Sequence, residues 1–352
     1  MMMNYWMVVM VFIGVSAQES GADGKDHNGE EHTKLCAVLK EAVGMWGEGR
    51  QSLSESLKMA LHRTIFGNES GGDLAKLKEK VPADYDILAS PDAERGFLCG
   101  EPVDEHLHKQ RGRPWSGHSA PHDLVCLCTL GKDGWPLNES NNGIDKLCGR
   151  LKDSLGGENE GWSGVHTEWI ESSETLVHHA KGETQIKATW FNVTKPCLEG
   201  NRKGENLKEA LKTFVDSLKP MPSTGKRNGA QLGEGNPNED HACTGSRKYG
   251  VCVMYYPNDK DTKTWWVDLQ KALIEDEKIQ KERDEEAKRK QEEAAKKDTN
   301  KTEDLKSTNP TTNQTEQNKT ATLHETMRKF NLTSGTHISM PSSWLLRAVF
   351  LF

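Results

Sequence analysis

The segment HTKLCAVLKEAVGMWGEGRQSLSESLKMALHRTIF (residues 32–66) carries the clearest periodicity in the chain. Its apolar residues recur at Leu35, Leu39, Ala42 and Trp46, then at Leu53, Leu57, Leu61 and Ile65. Steps of three and four place such residues on one face of a helix. Gly47 and Gly49 interrupt the run, so it predicts one long amphipathic helix or two with a break there. A second stripe, Leu207, Leu211, Phe214 and Leu218, stops at Lys219-Pro220, because proline lacks the amide a helix interior needs. Between the stripes, residues 90–200 are rich in Gly, Pro, Cys and Trp and hold few long periodic runs. Tyr249 to Tyr256 reads as a strand before Pro257. The fold class expected is mainly α: a helical frame with a disulfide-rich, loop-rich head.

The chain has 352 residues, 34% of them hydrophobic, a mean hydropathy of −0.76 and a formal charge of −7. That polarity excludes a polytopic membrane protein, and the acidic balance argues against a nucleic-acid partner. Both ends are nevertheless apolar. Tyr5 to Val15 followed by Ser16-Ala17 has the order of a secretion signal over residues 1–17. Trp344 to Phe352 is apolar except for Arg347, behind a polar spacer and the small triplet Ser334-Gly335-Thr336. Small triplet, spacer and greasy end are the order of a glycosylphosphatidylinositol (GPI) attachment signal, here residues 335–352, with Ser334 bearing the lipid. Nine helical residues reach only about 14 Å against a hydrocarbon core of roughly 30 Å, which excludes a spanning helix. Removing both signals takes one positive charge, Arg347, and leaves the polypeptide at −8.

Eight cysteines, Cys36, Cys99, Cys126, Cys128, Cys148, Cys197, Cys243 and Cys252, sit behind the secretion signal. They read as four disulfides whose pairing the sequence does not choose. Cys126 and Cys128 are expected to take different partners, as neighbouring side chains pointing apart on an extended segment. Cys243 and Cys252 are the easiest local pair. Acceptor sequons for N-glycosylation lie at Asn68, Asn138, Asn192, Asn300, Asn313, Asn318 and Asn331. Asn192 falls in the strand-like run Trp190 to Thr194.

From Trp265 the character changes. Trp265, Leu269, Ala272 and Ile279 share one helical face, after which Glu, Lys and Arg dominate, so residues 264–298 are expected to form a charged helix. Residues 299–334 are Thr, Asn, Lys and Glu with almost no apolar content, a disordered glycosylated stalk.

Chemistry-bearing residue types cluster once. His118, His122, Cys126 and Cys128 have metal-like spacing, but secreted cysteines are normally oxidised, which favours disulfides with surface histidines over zinc. Ser116, His118, Ser119, His122 and Asp123 contain the ingredients of a hydrolase triad without the geometry that defines one. Asn258-Asp259-Lys260-Asp261 lacks the glycine and distal glutamate of a calcium loop. The ten tryptophans read as core and interface anchors. No catalytic residue, metal or cofactor is expected, and the chain is read as not an enzyme.

The stretches from Trp115 to Cys128 and from Ala242 to Tyr256 resemble those of African-trypanosome variant surface glycoproteins, of the kind found in Trypanosoma congolense. His27 to Cys36, Ile65 to Glu69, and Lys187 to Trp190 with Asn192 and Cys197 extend the likeness. It implies a B-type N-terminal domain over residues 18–263, an elongated helical bundle built on a long antiparallel helical hairpin. It further implies a GPI-anchored coat on the outer face of the plasma membrane, self-associated as a dimer or trimer. Such a coat is antigenically variable, meets host antibodies and takes no small-molecule substrate. A receptor for a host serum protein on the same scaffold is the alternative, since some relatives are receptors.

Overall fold

The computed structural model describes residues 24–303 except 49–52, 86–93, 105–107, 109–111, 140–142, 158, 164–165, 171–172, 178–181, 201–203, 205, 222–227 and 237–240. The expected secretion signal, Asn313, Asn318, Asn331 and the lipid-bearing Ser334 lie outside those residues. The chain divides into two units between Glu285 and Glu286. Nearly all described elements belong to the first.

A short strand β1 (Asp26–His27) pairs in parallel with β2 (Lys146–Leu147) and leads into helix α1 (Gly29–Glu48). Glu30 and Glu31 in the first turn of α1 complement the positive end of its dipole. The break near Gly47 and Gly49 is real: α2 (Glu55–Phe66) starts afresh, with the Ser54 hydroxyl accepting from Leu57 N. Gly67 ends α2 in the left-handed region (φ 78°), and a Cβ there would lie 2.1 Å from His118 Nε2. Glycine is therefore required twice over at this position. The Trp46 and Phe66 rings meet edge-to-face at 5.4 Å, bringing the C-terminal turns of α1 and α2 together.

After α3 (Leu74–Glu79) and α4 (Arg95–Cys99) comes α5 (Ala120–Cys128), all nine of whose residues are buried. β3 (His166–Ile170) and β4 (Ser173–Val177) form an antiparallel hairpin. α6 (Glu183–Thr189) continues through a π-helical turn, Trp190–Thr194, into α7 (Lys195–Cys197). The strand-like reading of this run is thus corrected. Trp190, Val193, Thr194 and Cys197 are buried at steps of three and four, so helical packing overrides their β-propensity.

α8 (Leu207–Asp216) buries Leu207, Leu211 and Phe214 against α1, as its stripe requires. Glu41 of α1 accepts a hydrogen bond from Asn206 N at the start of α8, placing an acid at a helix N-terminus. β5 (Lys219–Met221), β6 (Gly229–Glu234) and β7 (Val251–Tyr255) make an antiparallel sheet in that order, β7 buried throughout. α9 (Trp265–Glu303) opens with Trp265, Trp266, Leu269, Ala272 and Leu273 in the core. Arg63 of α2 clasps Asp268 on α9 and Glu69 beyond its own helix. Within the second unit, Lys290 pairs with Glu286 one turn away at 2.7 Å.

Four disulfides join Cys36 to Cys197, Cys99 to Cys126, Cys128 to Cys148 and Cys243 to Cys252. Cys126 and Cys128 do take different partners, but not because the segment is extended. On α5, positions two apart point about 200° round the helix from one another. Chain-entropy arithmetic ranks the cross-links by the loops they close, which span 161 residues for Cys36–Cys197 and nine for Cys243–Cys252. Replacing the first pair by alanine should cost about 5 kcal/mol, and the second about 2.5 kcal/mol. Urea unfolding of the two variants checks the order. Equal losses, or the reverse ranking, would show that native-state strain rather than loop closure governs these cross-links.

Candidate functional site

The cluster of nucleophile, base and acid seen in the sequence, Ser116 to Asp123, folds as the entry to α5. Ser119 has extended backbone and its hydroxyl accepts from His122 N, while Pro121 in the first turn lacks an amide to be satisfied. Asp123 accepts three hydrogen bonds: Gly117 N to Oδ1 (2.9 Å), and Tyr255 Oη (2.9 Å) and Trp265 Nε1 (2.6 Å) to Oδ2. Trp265 N also donates to Gly117 O at 2.9 Å. Gly117 has φ 81°, and a Cβ there would press on Thr264 and Tyr255, so only glycine fits this crossing. Phe214 stacks on Trp265 at 5.5 Å and meets Tyr255 edge-on at 6.2 Å. One buried carboxyl thereby joins α5, β7 and α9 beside α8.

The histidines are not on the surface as expected. His122 is buried: Nε2 bonds Leu98 O at 2.8 Å, and Nδ1 meets Tyr85 Oη at 2.6 Å. Because a carbonyl only accepts, Nε2 carries the proton and Nδ1 accepts from the tyrosine. Burial lowers His122 to about 4 and His118 to about 3. His118 Nδ1 is buried without a hydrogen bond among the described residues. Ser116 donates to Glu101 O, 3.2 Å away. Ser119, His122 and Asp123 spend their polar atoms on the fold, and no serine hydroxyl is hydrogen-bonded to an imidazole here.

The C-terminal end of α5 has a partner for every late carbonyl. Arg95 donates to Cys126 O, and through Nη1 to Thr129 O (2.9 Å) and Trp162 O (3.1 Å). Its guanidinium lies 5.3 Å from the Trp162 ring centroid, and burial lowers it to about 9. Asn28 Nδ2 donates to Leu127 O (2.9 Å) and Val251 O (2.8 Å), and its Oδ1 accepts from Glu234 N (2.8 Å). Thr189 Oγ1 donates to Cys128 O at 3.3 Å. Arg95, Asn28 and Thr189 carried no sequence signal for this role, since their targets lie 31 to 223 residues away.

Two groups have metal-like composition, His32 with Cys36 and Cys197, and His122 with Cys99 and Cys126. Both cysteine pairs are disulfides and offer no thiolate, so neither group fits a zinc ion. Asp259 Oδ1 accepts from Asp261 N and Thr262 N, a local turn in place of a calcium loop.

Asn68, Asn138 and Asn192 are exposed. Ser70 of the first sequon donates to Asn68 Oδ1 at 2.9 Å, and Asn192 Nδ2 donates to Ser154 O at 2.7 Å. Asn300 lies in the last turns of α9.

Burial raises the Asp123 carboxyl to about 7, against the pull of its three donors. Its folded value exceeds the free one, so its linked stabilisation is complete below pH about 4 and is lost as pH rises through 7. Asp123→Asn removes that linkage and turns an amide N–H toward a donor, leaving a buried group unsatisfied at a cost of about 1–3 kcal/mol. The loss should be larger at pH 5 than at pH 8 by roughly 2 kcal/mol. Urea midpoints of wild type and variant at the two pH values test this, and a pH-independent difference would refute it.

Among the described residues no helix is long and apolar enough to cross a membrane. No curated protein matches the chain. The family model of the trypanosomal VSG domain matches residues 44–267, from the end of α1 through β7 to the first residues of α9. That span holds the knot at Asp123, three whole disulfides and well over half of the sequence. The chain belongs to the trypanosomal VSG domain family.

Proposed function

We propose that this protein is a GPI-anchored coat glycoprotein of the Trypanosoma congolense type. It shields the parasite plasma membrane sterically and supports immune evasion by antigenic variation. The observation that carries the reading is the VSG-domain match over residues 44–267, on a chain whose ends have the order of a secretion signal and a lipid-attachment signal. In this reading the protein self-associates and faces host antibodies. Its lipid joins Ser334 after removal of residues 335–352, and glycans occupy the exposed Asn68, Asn138 and Asn192 and sequons of the C-terminal stretch.

The mechanism needs no catalytic group. A two-chain lipid holds the protein stably and leaves it free to diffuse in the plane. Like charge and glycans keep crowded neighbours soluble, although salt screens the charge beyond about 8 Å. The cross-linked frame holds the fold while exposed loops vary.

Two measurements on live cells decide the matter. GPI-specific phospholipase should release the protein, and retention on treated cells would overturn the anchor. Surface labelling of a clonal population should find it the dominant species; a scarce protein that captures a host serum protein would instead be a receptor. Separately, peptide N-glycosidase should convert the Asn68, Asn138 and Asn192 peptides to their aspartate masses. An unmodified Asn192 peptide would remove that site, whose side chain also holds Ser154 O.

A further inference from the structure

We propose that residues 74–85 form a strap over the first turn of α5 that acid releases while the rest of the domain stays folded. Of these twelve residues only Tyr85 is buried, while Leu74, Leu77 and Val81 pack half-buried against the core. The strap has two hydrogen bonds to the core that matter: Tyr85 Oη to His122 Nδ1, and Trp190 Nε1 to Leu77 O at 3.2 Å. The Tyr85 ring sits between His122, Trp162 and Trp190, at centroid distances of 6.0, 6.5 and 6.4 Å. Segments with so little buried surface open locally at far lower cost than the whole fold.

A cavity of about 80 Å³ lies where strap and core meet, lined by Leu77, Pro82 and Tyr85 on one side and His118, Pro121 and His122 on the other. Both histidines are held neutral in place. His122 Nδ1 must stay bare to accept the tyrosine proton, and His118 Nδ1 has no acceptor to receive a new N–H. The charged and titratable groups facing the two rings do not relieve this. His122, Arg63 of α2 and His108 all disfavour a charge on His118, and Arg63 is already committed to Glu69 and Asp268. Asp123 on α5 is spent on its three donors, and Asp84 of the strap, although it lines the same cavity, is exposed to solvent. Opening the strap admits water to both rings and lets them charge.

The response is confined by its opposite in the neighbouring residue. Acid that loads His122 against the strap also protonates Asp123, whose raised value stabilises the knot at low pH. A histidine that titrates near 6.5 when released and at about 3 in place favours opening up to about thirtyfold more at pH 5 than at pH 7.4.

Hydrogen exchange of the purified protein at pH 7.4 and 5.0, corrected for intrinsic rate, reads this directly. Peptides within 74–85 should exchange faster at pH 5, by up to about thirtyfold per histidine released, with α1 peptides unchanged. Tyr85→Phe should open the strap at pH 7.4, and His118→Asn should shrink the acid response. An unchanged strap at pH 5, or one that accelerates only in step with α1, overturns the proposal. Should Tyr85→Phe not fold, the regional comparison in wild type decides alone.

Discussion

A helix buried along its whole length leaves orphan amides at one end and orphan carbonyls at the other, and no water to take them. α5 is such a helix, and much of the domain is arranged round that constraint. At its start the Ser119 hydroxyl and an amide-free Pro121 reduce the deficit. At its end Cys126 O, Leu127 O, Cys128 O and Thr129 O are met by Arg95, Asn28 and Thr189. Those three residues come from α4, the N-terminal segment and α6, so satisfying one helix fixes three other pieces of chain. The disulfides from Cys126 and Cys128 tie down the same helix covalently.

The placement of charge follows the same logic. Asp123 lies in the first turns of α5 and Arg95 at its last carbonyls, each where the helix dipole favours it. Among the described residues neither is hydrogen-bonded to an opposite charge. Asp123 is held by two aromatic side chains and an amide, Arg95 by carbonyls and an indole face. A buried ionisable group held by fixed dipoles needs well-placed partners, and these specify the arrangement, although Arg95 Nε is left without one among the described residues. The glycines at 67 and 117 serve this crowding, one under His118 and one under the Trp265 crossing.

What was legible in the sequence follows from these forces. The stripes of α1, α2 and α8 are legible because each helix has one wet face and one dry face, which is what periodicity detects. α5 is buried on all sides and so has no stripe, which leaves Cys126 to Cys128 looking extended in the sequence, although Ser119 with Pro121 marks the start of the helix. The π-helical turn at Trp190–Thr194 looks like a strand in the sequence because β-branched and aromatic residues sit there, and only their buried spacing shows the helix. With the cysteines oxidised, nothing in the sequence takes the histidines off the surface. Burying His122 required Tyr85 and Leu98, whose positions no local rule supplies.

The same distribution sets what the reactive-looking residues Ser119, His122 and Asp123 do in the fold. A catalytic serine, histidine or carboxylate needs free lone pairs facing a space a substrate can enter. Ser119, His122 and Asp123 have theirs filled by the backbone, Tyr85, Leu98, Tyr255 and Trp265, in the interior of the first unit. What such a constellation does well is hold five separated stretches of chain in one arrangement. Substitutions on exposed loops leave those partners untouched, so the surface is free to vary where the interior is not. A frame closed by internal hydrogen bonds and four cross-links therefore keeps its packing whatever residues its exposed loops carry.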